Sequence, residues 1–473
     1  MDADVLIAGA GPVGLALAVE LVRHGAVCRI VDAQPGADGA FSRATEVHAR
    51  TLELLDLPGL ADEVVAGGIA VARIPFYSRG REIAAIDLRV ATDSPFPFSL
   101  VLPQSETERI LERALGRAGV AIERGRRLVG LDQDGDGVTA TLAGADAPVR
   151  ACYLVACDGV HSGVREALGI AFEGGEYAGR WAALDAEVQG WPWTDDVVPV
   201  YLDHEGFWAM TVPSGRRRLF FLHEAAGDTP TRAEAQAVLD RHLLDRARVV
   251  AVDDALCFQL HHRVAARYRG GRVFLAGDAA HVSTPVAGRN MNVGIQDAFN
   301  LAWKLALACS GAAAQGVLDS YEAERRPVAQ AMVAAVDAIQ EGNLIEVPPA
   351  AVDERDHALG ALMAGPQRAE MAEESYELRL GYPDSPIVAP GAGARVAPEP
   401  PALRELLRSP RHLLLVAPGA EPPELRRFAA HVDTHALEAD PALRLVRPDA
   451  YLTFAGGPDE AAALRDVLGR TFG

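Results

Sequence analysis

The segment Gly9-Ala10-Gly11-Pro12-Val13-Gly14 constrains this chain more than any other. It follows a short apolar run, Val5 to Ala8, and opens onto Leu15, Leu17, Ala18, Leu21 and Val22, which recur at helical spacing. A second strand-like run, Val27 to Val31, comes at once. Strand, glycine turn, helix and strand within about 30 residues form the opening of a doubly wound parallel sheet. Gly9 permits the tight turn, Gly11 lets a pyrophosphate approach the backbone, and Gly14 lets helix and sheet pack closely. The phosphate charge then sits at a helix N-terminus begun by Pro12 and Val13. Asp32 ends the next strand, eighteen residues after Gly14, where a carboxylate accepts hydrogen bonds from both ribose hydroxyls of an adenosine.

Only one such glycine motif is present in the 473 residues, so a second dinucleotide domain is not expected. At about 100–200 residues per domain, the length points to roughly three domains. Hydrophobic residues make up 49% and charged residues 23%, which excludes a disordered or collagen-like chain. Lys and Arg number 45 against 65 Asp and Glu, and the resulting charge of −20 repels phosphate backbones and anionic lipid. Nucleic acid is therefore not an expected partner.

Five cysteines do not suggest a secreted disulfide framework, and reduced cytoplasmic thiols are the simpler reading. Cys152 and Cys157 lie five apart on an apparent strand, on opposite faces, and so share neither bridge nor metal. The start carries Asp2 and Asp4 without a basic lead into an apolar core. No uncharged apolar run reaches the ~18 residues of a membrane span. The expected location is the cytoplasm, away from membranes.

Strands at Tyr153 to Ala156 and Arg272 to Ala276 each end at a Gly/Asp turn, so one nucleotide-binding sheet is assembled from distant pieces of chain. From roughly Ile69 to Ser99, and again from Trp181 to His262, the chain carries short strand-like runs such as Val198 to Leu202, Phe207 to Val212 and Arg218 to His223. These read as one mixed sheet beside the nucleotide domain. Helical patterns run from Ile295 to Cys309 and from about Tyr321 to Gln340, the latter with Pro327 near its start, where proline is tolerated. Tyr382 to Pro401, rich in Pro and Gly, reads as a linker. A small tail follows, with strand runs at Leu413 to Val416, Leu443 to Val446 and Tyr451 to Phe454.

Two further motifs can carry chemistry. One is Cys157-Asp158-Gly159-Val160-His161-Ser162, with Val164 and Arg165; the other is Gly277-Asp278-Ala279-Ala280-His281, leading through Pro285 and Gly288 to Asn292 and a helix. An Asp at the C-terminal end of a sheet strand is placed to accept a ribityl hydroxyl, and helix-start amides near Met291 and Asn292 offer a positive dipole end. Taken singly, each Asp-Gly or Gly-Asp is an ordinary turn. His281 reads first as structural. His261 and His262 point to opposite faces of a strand, with no completing ligand in a metal spacing nearby, so no metal is expected.

In this order and at these distances, the three motifs resemble the single-component FAD-dependent aromatic hydroxylases typified by para-hydroxybenzoate hydroxylase, and most nearly their phenol hydroxylase and aromatic polyketide hydroxylase branch. The matching segments include Ser42-Arg43-Ala44-Thr45, Leu102 to Arg109, Ile295-Gln296-Asp297-Ala298, Asn300 to Leu305 and Tyr321 to Pro327. The resemblance covers residues 3–340 strongly and the tail weakly.

The resemblance implies an α/β fold: a Rossmann-like FAD-binding domain (1–70, 100–180 and 263–340) interleaved with a mixed-sheet substrate domain (71–99 and 181–262). A helical connection and linker (341–390) and a small thioredoxin-like C-terminal domain (391–473) follow. The last cysteine is Cys309, so that tail has no Cys-x-x-Cys and a role in dimer contact or stability is expected of it. By the same resemblance, Asp32 holds the adenosine ribose, Arg43 and Gln104 lie along the pyrophosphate and ribityl chain, and Gly277, Asp278 and Pro285 border the same region. Gly288, Asn290, Met291 and Asn292 face the isoalloxazine. Asp158 belongs to a motif associated with both FAD and nicotinamide coenzyme.

The chain departs from the family at Ala287-Gly288-Arg289-Asn290, where relatives carry Gly-Gly-Gln-Gly, so the turn is built with fewer glycines; Asn290 tolerates a left-handed conformation better than most residues. The implied activity is hydroxylation of a phenolic or polyketide-type aromatic substrate with NADH or NADPH and O2, through a flavin C4a-hydroperoxide. Baeyer–Villiger oxidation or epoxidation on the same fold, and a flavoprotein that binds an aromatic ligand without turnover, are the alternatives. On the mixed sheet, Tyr201, Phe207, Trp208 and Met210 are candidate substrate contacts, although alternating apolar residues on a strand are usually core.

Overall fold

The strand Ala3–Ala8 is almost wholly apolar because it is buried on both faces: Val5, Leu6, Ile7 and Ala8 are all at most 3% exposed. It lies between Cys28–Val31 and Val149–Ala156 and is parallel to both, with Val5 opposite Cys28 and Tyr153. Val273–Leu275 continues the sheet in parallel beyond Val149–Ala156. The full order is Arg269–Gly270, Val273–Leu275, Val149–Ala156, Ala3–Ala8, Cys28–Val31 and Ile122–Glu123, with Val138–Leu142 antiparallel to Val149–Ala156 and Leu128–Gln133 antiparallel in turn to Val138–Leu142. A computed structural model describes every residue except 37–43, 89–91, 204–205, 225–226, 228, 243, 245, 286–287, 342–346, 348, 366–367 and 438–440.

Parallel pairing decides where the motifs go. Ala8, Ala156 and Leu275 end at the same edge of the sheet, so the Gly9 loop, the Cys157-Asp158 turn and the Gly277-Asp278 turn converge there from three distant parts of the chain. The helix Pro12–Arg23 starts at that edge and packs against the helix Arg289–Cys309.

The second sheet runs in the order His281–Val282, Arg248–Ala265, Phe172–Gln189, Arg217–His223, Phe207–Thr211, Val200–Tyr201, Arg73–Ser78 and Arg81–Asp87. Its spine is a pair of 18-residue antiparallel strands, Phe172–Gln189 and Arg248–Ala265. Register shifts after Glu176, Asp185 and Glu187 let so long a ribbon bend. The ribbon starts before residue 181 and ends after residue 262, the sequence-derived limits of this unit. His281–Val282 pairs with its inner end and links the second sheet to the third motif.

The helix Asp319–Glu341 begins earlier than its apolar pattern predicts, which puts Pro327 inside it rather than in its first turn. Ala323 consequently lacks its usual amide donor at that turn. The stretch read as a linker is packed instead: Tyr382, Ile387 and Val396 are at most 3% exposed, and the Gly381–Ala394 and Arg395–Tyr451 bridges tie it down. The tail forms a four-stranded sheet in the order Val432–Ala436, His412–Val416, Leu443–Val446, Leu452–Gly456. Its first pair is parallel and the other two are antiparallel, flanked by helices Pro401–Leu407 and Ala461–Thr471. Val432–Ala436 escaped the sequence reading because only Val432 of its five residues is buried, so the strand carries no apolar run.

Candidate cofactor and substrate cavity

One cavity runs from the end of the parallel sheet to the face of the second sheet. Gly11, Pro12, Val13, Gln104 and Asp278 line its first part, and Trp208, Met210, Phe220 and Phe258 its far wall; Pro285, Gly288, Asn290 and Met291 lie along it as well.

At the sheet end, Gly9 adopts φ +108, and a Cβ there would stand 2.1 Å from the Cys157 carbonyl oxygen, so the loop and the second motif touch backbone to backbone. A Cβ on Gly11, by contrast, would meet nothing nearer than Glu108 Oε1 at 4.0 Å. Open space thus lies in front of the first-turn amides of a twelve-residue helix. Gly14 packs on the Gly9 carbonyl. Asp32 turns its carboxylate into the loop, accepting the Ala10 amide at 2.6 Å and the Gln34 amide at 2.6 Å. Gln104 donates to Glu108 at 2.8 Å, and burial raises the Glu108 pKa.

Asp158 accepts the Val164 amide with Oδ2, while Oδ1 is buried without a partner. Burial pushes its carboxyl up. Ser162 caps the helix Gly163–Ala167, and Arg165 from that helix donates to the Ala279 and Val160 carbonyls at 3.0 and 2.9 Å, bracing the second motif against the third. An open space before helix-start amides and a rim of Gln104 and Asp278 fit a dinucleotide with polyol and phosphate groups such as FAD, while Asp158 lies behind Cys157 and Gly159 and does not line the cavity.

Behind Gly277, His281 lies 2.8 Å from Asp297 Oδ2, which also accepts the Gly277 amide at 3.1 Å, while Arg325 donates to Asp297 Oδ1 at 2.7 Å. Burial raises the Asp297 pKa, but Arg325 and His281 outweigh it and hold the group below its ordinary range. His281 is fully buried and serves this network.

Gly288, at φ +61, precedes the helix Arg289–Cys309 and takes the left-handed conformation that the sequence offered to Asn290. Asn290 is helical and instead bonds both ways to Ser283, accepting its amide at 3.0 Å and donating to its carbonyl at 2.6 Å. A side-chain clamp thus stands where the resemblance leads to the expectation of a glycine. Asn292 is fully buried, bonding the His48 amide and the Glu46 and Gly288 carbonyls, and anchors the turn from behind. Arg43 and Ala287 lie outside the described residues; Ala44 and Thr45, next to Arg43, line the cavity.

The four aromatic-sheet candidates divide by strand parity. Trp208 and Met210 face the cavity, and Trp208 stacks on Phe220 with centroids 4.9 Å apart. Tyr201 and Phe207 point the other way, into a separate core with Tyr77 and His242. Phe220, Phe258, Gln259 and His261 complete the wall and were missed. The pairing of Trp208 with Phe220 across adjacent strands was the signal for the first of them, but it requires the register. His262 contacts Asp337 at 3.1 Å and His261 approaches Glu176 at 3.4 Å. Away from the cavity, ligand atoms of Asp4, Cys152 and Cys309 come within 4.8 Å of one another, a grouping invisible in sequence spacing.

The model of the family described as FAD binding domain matches residues 2–336. The chain belongs to this FAD-binding family. Among members of known activity, pentachlorophenol 4-monooxygenase of Sphingobium chlorophenolicum is 32% identical over 437 residues, covering 89% of this chain and 81% of that protein. The 12-dehydrotetracycline 5-monooxygenase/anhydrotetracycline 6-monooxygenase of Streptomyces rimosus is 34% identical over 529 residues, covering 100% and 99%. The solved structure of OxyS anhydrotetracycline hydroxylase from Streptomyces rimosus superposes with a TM-score of 0.81 at 32% identity, over 100% of this chain and 99% of that one. This FAD-binding family member is a flavoprotein monooxygenase. Among its described residues no helix is long and apolar enough to cross a membrane.

Proposed function

We propose that the protein hydroxylates an aromatic substrate of phenolic or polyketide type, using bound FAD, O2 and NADH or NADPH. The observation that carries this reading is the continuity of one cavity from the pyrophosphate-type cradle at Gly11 to an apolar wall of Trp208, Met210, Phe220 and Phe258, with the Gly288–Met291 turn between them. FAD supplies the electron transfer and oxygen activation when bound. The protein's part is positioning. Amides at the start of the helix Pro12–Arg23 take the pyrophosphate charge, Asp278 accepts a cofactor hydroxyl, and amides at the start of Arg289–Cys309 face the ring. Trp208 and Phe220 offer stacked aromatic faces to a planar ligand and exclude water that would divert the oxygen.

With a single glycine motif, the nicotinamide coenzyme has to reach the ring through the open side of this cavity. The C-terminal unit, read as thioredoxin-like, carries no cysteine and serves stability or dimer contact. The five thiols are free, as a reducing cytoplasm would keep them. The test is a flavin-absorbance titration with phenols, naphthoquinones and polycyclic aromatics. Saturable perturbation by a ring compound that also speeds coenzyme oxidation supports the reading, and the absence of any perturbing aromatic overturns it.

A further inference from the structure

Beneath the ring-facing turn sits a group of titratable side chains that the cavity does not need for binding. His48, 3% exposed, lies between two carboxylates, with Nε2 3.7 Å from Glu46 Oε2 and Nδ1 3.6 Å from Glu377 Oε1. Glu377 is itself buried and accepts Gln296 Nε2 at 2.6 Å. It is held there by a backbone at φ +60, a conformation that favours glycine. Glu46 is the member open to the cavity, and a Cβ on Gly288 would stand only 2.8 Å from its Oε2. The backbone joins the same pieces, since Asn292 bonds the His48 amide and the Glu46 carbonyl.

Burial alone would strip the His48 proton, but Glu377 and then Glu46 outweigh it and hold the imidazole up to about 9. Nearby cations are engaged elsewhere: Arg289 with the Glu374 carbonyl, Arg50 with Glu53, and Arg395 with Glu53 and Asp93. The contacts at 3.6 and 3.7 Å are charge pairs rather than hydrogen bonds, and closing them by under about 1 Å makes them both.

We propose that Glu46, His48 and Glu377 form a proton-holding chain for the cavity, in which Glu46 takes up one proton from solvent when negative charge develops on the bound flavin ring. This rests on the flavoprotein reading above. One imidazolium shared by two carboxylates leaves a surplus negative charge, and further negative charge against Glu46 raises its proton affinity. Glu377, sealed behind Gln296, keeps the imidazolium in place while Glu46 exchanges with the cavity. Electrons arrive on the ring from the coenzyme; the chain contributes only the proton, on Glu46.

The test is the midpoint potential of the FAD-loaded protein followed across neutral pH, whose slope counts protons taken up per electron pair. The wild type is expected to take up one proton more than Glu46→Gln. His48→Gln is the second variant: removing the imidazolium breaks the chain between Glu377 and Glu46, and its slope is expected to depart from that of the wild type. If the wild type holds FAD and all three proteins share one slope, the chain is structural and the proposal is overturned. A change in FAD affinity alone, with the slope unchanged, overturns it too. A wild type that retains no FAD contradicts the flavoprotein reading instead.

Discussion

Arg447 presents Nη1 at 2.7 Å to Glu324 Oε1 and Nη2 at 3.0 Å to Oε2, a forked ion pair sealed between the C-terminal sheet and the helix Asp319–Glu341. Asp449 holds the other edge of the guanidinium, while Lys304 and Ser385 reach Glu324 at 2.8 and 2.6 Å. Burial raises the Glu324 pKa, but Arg447 and Lys304 outweigh it and keep the group ionised well below the usual carboxyl range. Removing one partner of such a pair leaves buried charge uncompensated, at a cost of about 3–5 kcal/mol. Arg447→Ala is therefore expected to lower unfolding stability by that amount in chemical denaturation. A loss under about 1 kcal/mol, the scale of a surface ion pair, would mean that the C-terminal unit is not anchored here.

The same seam sets an acid limit. His412 packs edge-to-face on Trp303 and Phe472, and burial pushes its imidazole down to about 3. The unfolded chain, with an ordinary value near 6.5, binds the proton more readily, so the stability that His412 contributes is complete above that pH and erodes as pH falls towards 3. The lowered Glu324 value has the same sign but acts only below its ordinary 4.5. Thermal unfolding of His412→Phe is expected to be less pH-dependent than wild type between those two ordinary values. Parallel curves would contradict the assignment.

Asp278 reaches the cavity rim from the turn after the strand Val273–Leu275. A hydrogen bond to a charged group contributes about 1.5–3 kcal/mol. Asp278→Ala is expected to weaken FAD retention tenfold or more, read as the flavin-to-protein ratio after gel filtration. A full flavin complement in the variant would remove Asp278 from the cofactor site.

Strand parity predicts opposite phenotypes for neighbours. Trp208→Ala is expected to raise the dissociation constant of an aromatic ligand at least tenfold while FAD content stays unchanged. Phe207→Ala, fully buried on the other face, is expected to lose about 3–5 kcal/mol of stability and leave ligand affinity alone. Spectral titration alongside thermal unfolding separates the two, and matching phenotypes would contradict the register.

The parallel sheet and its three motifs were legible because each carries a local signature: apolar runs at Val5 to Ala8 and Tyr153 to Ala156, followed by Gly or Asp where the chain must turn. Convergence of Gly9, Asp158 and Asp278 follows from parallel pairing alone. What depends on register or distant packing was not legible. Trp208 and Phe207 are adjacent in sequence and equally apolar, and only the pairing of Trp208 with Phe220 tells which faces the cavity. Glu377 lies 329 residues from His48 in sequence, with no motif around it. Tyr382 to Pro401 looked like a linker because Pro and Gly break periodic patterns, yet Tyr382 accepts Arg325 Nη1 at 2.9 Å inside the core.

The most direct test of the central claim is oxidation of NADH and NADPH under heavy-isotope O2, with peroxide followed in parallel and the aromatic product analysed by mass. A ring compound that perturbs the flavin spectrum is expected to accelerate coenzyme oxidation and to acquire one labelled oxygen atom. Coenzyme oxidation that is equally fast with and without every ligand, with all electrons recovered as peroxide and no label in any ring, would contradict the account.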